Sequence, residues 1–375
     1  MTACDFLVIG AGIAGASIAC ELALEASVVV AEQEDRAGYH TSGRSAAMYI
    51  RSYGAPPVRA LTAASRAFFD DPPAGFTDYP LLTPRACLTI ARQDQAAALD
   101  SLADQIRAAG EGFSELTTAE ARALLPVLRA ASAHRAILEP DCADIDVDAL
   151  HQGFLRLGRA RGVELRLAAK VSSITRRSDH WQVRFRDGGE VEARVVINAA
   201  GAWADEVAEL AGARRIGVTP KRRTVILIEP PAGAEIASWP TVLDVAEQFY
   251  FKPQSGLILA SPGDETPVQP QDAAPDEYDI AVCVDRIQQA AELPVRRINR
   301  AWAGLRTFTA DKVQAFGYDA DGAGFFWFAG QGGFGMQTSP AAARLGAALA
   351  LRRPVPEDLA GAGVRAADYA PARFS

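Results

Sequence analysis

The sequence predicts an α/β chain in which a Rossmann-like parallel sheet is interleaved with an α+β unit built on an antiparallel sheet. Three observations carry this. The apolar run Asp5 to Ile9 enters the glycine turn Gly10-Ala-Gly12-Ile-Ala14-Gly15, and a second apolar strand, Val28 to Ala31, closes on Glu32. Two later apolar strands end in small residues, Val195 to Gly201 and Gly324 to Gly330. Residues 219–310, by contrast, alternate and are broken by Pro230-Pro231, Pro253 to Gly256 and Pro262-Gly263, as antiparallel strands are. The expected division is therefore 1–50, 143–215 and 311–375 for the first unit, and 51–142 and 216–310 for the second.

Taken in order, residues 5–32 read as β-α-β, followed by a glycine- and hydroxyl-rich loop from Gly38 to Ala47. Residues 55–131 carry helical spacing interrupted by Pro56-Pro57, Pro72-Pro73, Pro80 and Pro84, with one strand-like run at Ala86 to Ile90. From Asp146 to Arg161, Val147, Leu150, Phe154 and Leu157 fall on one helical face, and Val163 to Leu167 reads as a strand. Val171 to Ile174, Trp181 to Phe185, the turn Asp187-Gly-Gly189 and Val195 to Ile197 read as a hairpin leading to a buried strand. The last strand feeds Gln331 to Gly335 and a helix expected to start near Pro340.

Size and charge limit what such a chain handles. At 375 residues it exceeds the ~250–300 at which a single core stops growing. With 38 Lys+Arg against 46 Asp+Glu, a net charge of -8 and no long run of one sign, it has neither a nucleic-acid nor an anionic-membrane signature. The five cysteines (Cys4, Cys20, Cys87, Cys142, Cys283) lack metal-ligand spacing and read as reduced thiols of a cytoplasmic protein. The apolar start has no basic flank and carries Asp5, unlike a signal peptide. The uncharged stretch Gly322 to Ala343 is too rich in glycine for a membrane helix, so no transmembrane segment is expected.

The glycine turn carries the first chemistry. Glycine lets the backbone turn tightly at Gly10 and approach a pyrophosphate at Gly12, and Gly15 lets the helix close on the strand. The helix presents its positive end to phosphate, and Glu32 can accept both ribose hydroxyls while repelling a 2′-phosphate. An adenine dinucleotide with a plain ribose follows, FAD or NAD.

Together with the loop Thr41 to Ser45, the hairpin at Val171, the Val195 to Trp203 stretch and the loop Gly330 to Gly335, this chain resembles the FAD-dependent oxidoreductases of the D-amino-acid oxidase superfamily along its whole length. Residues 56–76, 143–153, 220–223 and 331–339 most resemble the bacterial D-arginine dehydrogenases. The resemblance implies a GR2-type FAD-binding fold and non-covalent FAD. It places Gly10, Gly12, Ala14, Gly15, Glu32 and Gln33 at the adenosine diphosphate, Val171 near the adenine, and Ala200, Gly201 and Trp203 alongside. Around the flavin it puts Ser42, Gly43, Arg44, Ser45, Ala46, Ala47 and Met48, with Gln331, Gly332, Gly333, Phe334, Gly335, Met336 and Gln337. A glycine loop before a helix also suits the negative charge of a reduced flavin on physical grounds.

Alternation puts Arg306 on the same strand face as Trp302 and Phe308, where a guanidinium needs an anion. The resemblance makes that anion a substrate carboxylate, adds Tyr53 and Tyr250 as donors, and selects Arg223 over Arg222, which alternation alone cannot do. It implies oxidative deamination of a D-amino acid, its amine near the Gly333 carbonyl, with hydride passing to the flavin and oxygen or a quinone as the electron acceptor. Where the D-arginine dehydrogenases carry a glutamate and a histidine, this chain has Cys87 and Met48. With Ile50 and Met336, these predict an apolar side-chain pocket that favours neutral D-amino acids over D-Arg and D-Lys. Arg51 leaves an acidic substrate open. N-methyl or cyclic amino acids, 2-hydroxy acids, and a flavin-binding subunit without its own chemistry are the alternatives.

Overall fold

The computed structural model describes residues 2–320 and 323–374, so Gly322, the start of the uncharged stretch above, lies outside them. The first sheet has eight strands. At its centre Thr2–Ile9 pairs in parallel with Val28–Ala31 on one side and Glu190–Asn198 on the other. Glu164–Arg166 extends the sheet beyond Val28–Ala31. The strand Glu190–Asn198 changes partner halfway: its first half pairs antiparallel with Trp181–Phe185, and its last three residues pair in parallel with Phe325–Ala329. It starts five residues before the expected Val195, because the hairpin turn at Asp187 to Gly189 recruits Glu190 to Arg194 to a ladder that the apolar pattern does not mark.

The second sheet has nine strands, in the order Thr266–Pro267, Thr219–Ile228, Leu257–Ser261, Tyr250–Gln254, Thr241–Asp244, Cys87–Ala91, Arg135–Glu139 and Ser114–Thr117, with Ile298–Phe308 beside Thr219–Ile228. It joins strands from residues 87–139 and 219–308, and only Thr241–Asp244 against Cys87–Ala91 is parallel. The strand Ser114–Thr117 lies in a stretch expected to be helical. Thr117 closes it and caps the next helix, its hydroxyl accepting from the Glu120 N–H.

Alternation within this sheet separates core from cavity. Even-numbered Leu88, Ile90, Ile226, Ile228, Val242, Ile258 and Ala260 join a cluster that includes Cys283 and Ile287 of the helix Glu277–Ala290. Each fully buried large side chain there is worth roughly 1.5–3 kcal/mol of transfer free energy. The alternate residues of each strand face the other way, toward the first sheet. That sheet is sandwiched in turn: Val8, Ile18, Phe328 and Leu345 pack on one side, and Leu7, Val196, Trp327 and Phe325 on the other.

Two helices depart from expectation. Pro56–Asp70, placed with the second unit by its sequence position, packs on the helix Gly335–Ala350, and its Leu61 joins the core of the first sheet. Gly335–Ala350 itself begins five residues before Pro340 and carries that proline inside. Pro340 cannot donate to the Met336 carbonyl, and the Ser339 hydroxyl donates to it instead at 3.0 Å.

Candidate active site

The face of the second sheet turned away from the Cys283 and Ile287 cluster forms the roof of a cavity of about 670 Å³ whose floor is the C-terminal edge of the first sheet. Arg306 and Gly304, Arg223 and Val225, Tyr250 and Lys252, Thr241 and Leu243, Thr89 and Glu139 all line it from successive strands. Register carries the row across: Gly304 stands opposite Arg223, Tyr250 opposite Leu243, and Leu243 beside Thr89.

At the dinucleotide end, Gly12, Ile13 and Ala14 open the N-terminus of the helix Ile13–Leu22 onto the cavity. Gly10 has φ +103, and a Cβ there would stand 2.5 Å from the Ala199 carbonyl oxygen; at Gly15 one would stand 1.8 Å from the Gly10 oxygen. These contacts hold the turn against the strand end and leave its backbone facing the groove. Glu32 accepts the Ala11 N–H at 2.8 Å and the Glu34 N–H at 3.1 Å. Its carboxylate is thus fixed where it meets the cavity, with lone pairs left for ribose hydroxyls. Gln33, Val171, Ala200, Gly201 and Trp203 line the same groove, as do Ser42, Arg44, Ser45, Ala46, Ala47 and Met48.

The loop that carries Ser42 is tied to both sheets. Ser42 Oγ accepts the Ile13 N–H at 2.8 Å, while Thr41 Oγ1 donates to the Leu305 carbonyl at 2.7 Å. Arg44 donates to the carbonyls of Ala273 and Ala303, and the Trp302 indole donates to the Arg44 carbonyl at 3.0 Å. From the other end of the chain, Gly332 N–H donates to the Thr307 carbonyl at 2.8 Å. A Cβ on Gly333 would lie 2.9 Å from Arg306 Nη1. The glycine loop and the strand of Arg306 therefore touch, and Gln331, Gly332, Gly333, Gly335, Met336 and Gln337 complete the wall.

Four of the expected substrate groups meet here. Arg306 donates to the Tyr53 hydroxyl, and Tyr53 packs on Phe334 with ring centres 4.9 Å apart. Arg223, 8% exposed, donates through Nε to the Asp264 carbonyl at 2.9 Å. Burial, and after it the Arg306 charge, pull its guanidinium below the ordinary arginine value. Arg223 also has Glu265 at 3.6 Å and Asp264 at 3.9 Å, and the Glu247 charge acts on Arg306; the two guanidinium groups nevertheless repel each other and line one cavity with Tyr53 and Tyr250, an arrangement suited to an anion. Arg222 faces the opposite side, paired with Asp279 at 2.8 Å and Asp276 at 3.2 Å. Alternation separates the two arginines; the sheet's orientation decides which one meets the cavity.

Other expectations fail. Cys87 does not line the cavity: it is fully buried behind Ile50 and hydrogen-bonded with Cys142. Gly15 packs against the Gly10 backbone, as expected of the residue that lets the helix close on the strand, but it is not in the cavity wall; nor are Gly43, which packs against backbone, and Phe334, which packs against Val58, Phe308 and Tyr53. Arg51 is paired with Glu111 at 2.7 Å and does not reach the cavity.

The expectation of a wholly apolar side-chain pocket is corrected by Glu139, which sits directly opposite Cys87 in the ladder and lines the cavity with Ser52 and Thr89. With a carboxylate in that wall, the ground for excluding D-Arg and D-Lys falls. Sequence reading missed Glu139 because its strand was not recognised. Lys252, 3% exposed and paired with Asp144, was legible as the residue two beyond Tyr250 on one strand face.

A parallel sheet with a glycine turn and a fixed carboxylate at the end of its second strand, under an antiparallel roof bearing two arginines, has the form of a dinucleotide-dependent oxidoreductase of two interleaved sheets. The chain belongs to the FAD dependent oxidoreductase (DAO) family, which it matches over residues 5–349. Its dinucleotide is FAD.

Among curated proteins it is 30% identical to hydrogen cyanide synthase subunit HcnC of Pseudomonas aeruginosa over 196 residues, 51% of this chain and 45% of that protein. It is 28% identical to FAD-dependent oxidoreductase domain-containing protein 1 of Bos taurus over 212 residues, 51% of this chain and 42% of that one. The chain spans about half the length of these two relatives. Glycine oxidase from Geobacillus kaustophilus superposes with a TM-score of 0.84 at 22% identity, over 97% of this chain and 99% of that one. Iminodiacetate oxidase from Chelativorans sp. BNC1 does so with 0.81 at 23%, over 98% and 99%. L-proline dehydrogenase from P. horikoshii does so with 0.83 at 19%, over 100% and 98%. At these identities the likeness is one of fold. Among the described residues, no helix is long and apolar enough to cross a membrane.

Proposed function

We propose that this protein oxidises D-amino acids to 2-oxo acids and ammonia, using FAD held non-covalently. The observation that carries the reading is the convergence of Arg223 and Arg306 on one cavity with Tyr53, Tyr250 and the Gly333 loop, at the end of the dinucleotide groove. A carboxylate between the guanidinium groups relieves their repulsion and fixes the substrate's α-carbon. Bound FAD supplies a two-electron acceptor for the α-hydrogen and its electron pair. The substrate's amine, facing the Gly333 carbonyl, is held there as the neutral base once its ammonium proton has left. Loss of hydride from the α-carbon leaves an iminium, which water hydrolyses to the 2-oxo acid and ammonia. Oxygen or a quinone takes the electrons afterwards.

The D configuration rests on the resemblance of residues 56–76, 143–153 and 331–339 to the D-arginine dehydrogenases. The carboxylate-and-amine class is supported by structural neighbours named for glycine, proline and iminodiacetate. Those last two names favour a second reading, a secondary or cyclic amino acid, within the same clamp. The cavity wall of Met48, Ile50, Leu243 and Met336 suits an aliphatic side chain such as that of D-Leu or D-Met.

The test is anaerobic mixing of the yellow holoprotein with matched D- and L-amino acids, sarcosine, proline and 2-hydroxy acids, followed by product assay. Bleaching by D-amino acids with ammonia released is the expected outcome. Methylamine from sarcosine, or bleaching by proline alone, establishes the second reading. A flavin that no carboxylate-bearing amine bleaches overturns both.

A further inference from the structure

Beside Arg223 the second sheet is interrupted. Thr219–Ile228 pairs with Thr266–Pro267 at Lys221 and Arg222 and with Leu257–Ser261 from Ile226 onward, so the four steps from Arg222 to Ile226 lie opposite the six from Thr266 back to Ala260. The surplus is a turn at Pro262 and Gly263, held by Arg286 of the helix Glu277–Ala290, which donates to the Pro262 carbonyl. A ladder broken in this way leaves backbone groups to be paired otherwise and re-aims the side chains around it. Here the Thr224 N–H is taken by the Asp264 carboxylate, at 2.8 and 3.0 Å from its two oxygens, and the Thr224 hydroxyl donates to the same carboxylate at 3.0 Å.

Asp264 therefore holds Arg223 and its neighbour through two different groups. Its carbonyl accepts Arg223 Nε at 2.9 Å, while its carboxylate stays on Thr224, 3.9 Å from that Nε. Glu265, the next residue, is 3.6 Å from Arg223 Nη2 and is shared with Lys221 at 2.7 Å and Lys312 at 3.5 Å. Neither acid makes a bidentate pair with Arg223, and among the described residues its Nη groups make no hydrogen bond, so they are open to an anion in the cavity that Arg223 lines. Burial pushes the Asp264 carboxyl above the usual carboxylate range, against the Thr224 N–H and the Arg223 charge, which both favour its ionised form. On the other flank, Arg222 is fixed to Asp279 at 2.8 Å. The strand is thus pinned on either side of Arg223, and Asp264, with its side chain 6% exposed and outside the cavity wall, is the pin on the Thr224 side.

We propose that Asp264 is a positioning residue for the carboxylate site: by taking the Thr224 N–H with its side chain and Arg223 Nε with its carbonyl, it fixes the direction in which the Arg223 guanidinium enters the cavity. The inference rests on the reading of Arg223 and Arg306 as the partners of a substrate carboxylate. Arginine is long and rich in rotamers, so without the tie its guanidinium samples directions that miss the anion, and each binding event has to order it. Because Asp264 touches Arg223 and does not reach the cavity, its effect falls on carboxylate binding and passes through Arg223.

The experiment is a double-mutant cycle on the holoenzyme with Asp264→Ala, Arg223→Ala and the double variant. Its readout is the Kd of 4-methylpentanoate, the D-Leu skeleton without its amine, from the change it makes in the flavin spectrum. Asp264→Ala is expected to weaken this carboxylate about tenfold and to raise KM for the amino acid that bleaches the flavin by a similar factor, with kcat within about threefold of wild type and FAD content unchanged. On the Arg223→Ala background the same substitution should move Kd by less than about twofold, because the group it positions is gone. Asp264→Asn, whose amide oxygen still accepts the Thr224 N–H, should recover most of the affinity. Asp264→Glu, which keeps the charge on a longer arm and so displaces the tie, replaces the alanine variant in the cycle should that one not fold. Losses that add in the double variant, or a Kd that the Asp264 substitutions leave within about twofold of wild type, overturn the inference; if Arg223→Ala still weakens the carboxylate, the clamp stands. An Arg223→Ala protein that binds the carboxylate as wild type does overturns the clamp, and this inference with it.

Discussion

Gly333 shows how little room the clamp leaves. Its missing side chain is the space into which the Arg306 guanidinium fits, since a Cβ would come within 2.9 Å of Nη1 and 3.1 Å of Cζ. The Arg306 guanidinium also lies against Tyr53. In Gly333→Ala the guanidinium is expected to shift, lowering kcat/KM about 10- to 100-fold with FAD content retained; a variant with wild-type kinetics would show that Arg306 is not the carboxylate's partner. Single residues were unevenly legible in the sequence. Arg306 on an apolar strand face was visible as a cation in need of an anion, because period-2 spacing fixes faces. Arg222 and Arg223 were indistinguishable, because which face meets the cavity depends on the other sheet. Cys87 was placed one layer too near: its neighbours on the same strand are legible, but the depth of the cavity behind Ile50 is not.

At the scale of elements, pattern succeeds where one face is apolar and fails where a ladder is recruited by a neighbour. The β-α-β start, the hairpin at Val171 and the strand Phe325–Ala329 follow from apolar runs and turn glycines. The strands Ser114–Thr117 and Arg135–Glu139 do not, being short, edge-placed or partly polar, and with the second of them Glu139 was lost from view. The helix Gly335–Ala350 is the sharper case. Proline normally marks a helix start, yet Pro340 lies inside this one because Ser339 supplies the hydrogen that the proline lacks, donating to Met336 at 3.0 Å. Ser339→Ala leaves a buried carbonyl without that donor and is expected to cost about 1–3 kcal/mol, measured by chemical denaturation of the holoprotein. Because Met336 and Gln337 line the cavity in the same turn, the variant should also bind FAD more weakly. Stability within about 0.5 kcal/mol of wild type would mean the helix tolerates the proline unaided.

Across the whole molecule, the cavity is the seam between two sheets, crossed by hydrogen bonds and by small apolar clusters such as that of Ala202 and Trp203 with Ala303 and Leu305. Thr41 to Leu305, Arg44 to Ala273 and Ala303, Trp302 to Arg44 and Gly332 to Thr307 are hydrogen bonds between segments that border the FAD groove. The large apolar clusters, by contrast, lie on either face of the first sheet and on the far face of the second, away from the seam. A ligand that touches both walls therefore adds coupling to these hydrogen bonds and small clusters. FAD bound to the folded protein alone stabilises it by about 2.7 kcal/mol at a hundredfold excess over its dissociation constant. Removing FAD is expected to lower the melting temperature and to split one calorimetric transition into two, one for each sheet with its own core. Returning FAD should merge them again, by an amount that grows with the logarithm of its concentration. Glu32→Ala, which leaves the Ala11 and Glu34 N–H groups without their acceptor and removes the carboxylate proposed to hold the ribose, should need far more FAD to do so. A single transition at the same temperature with and without FAD would show that the hydrogen bonds across the seam already join the sheets into one cooperative unit.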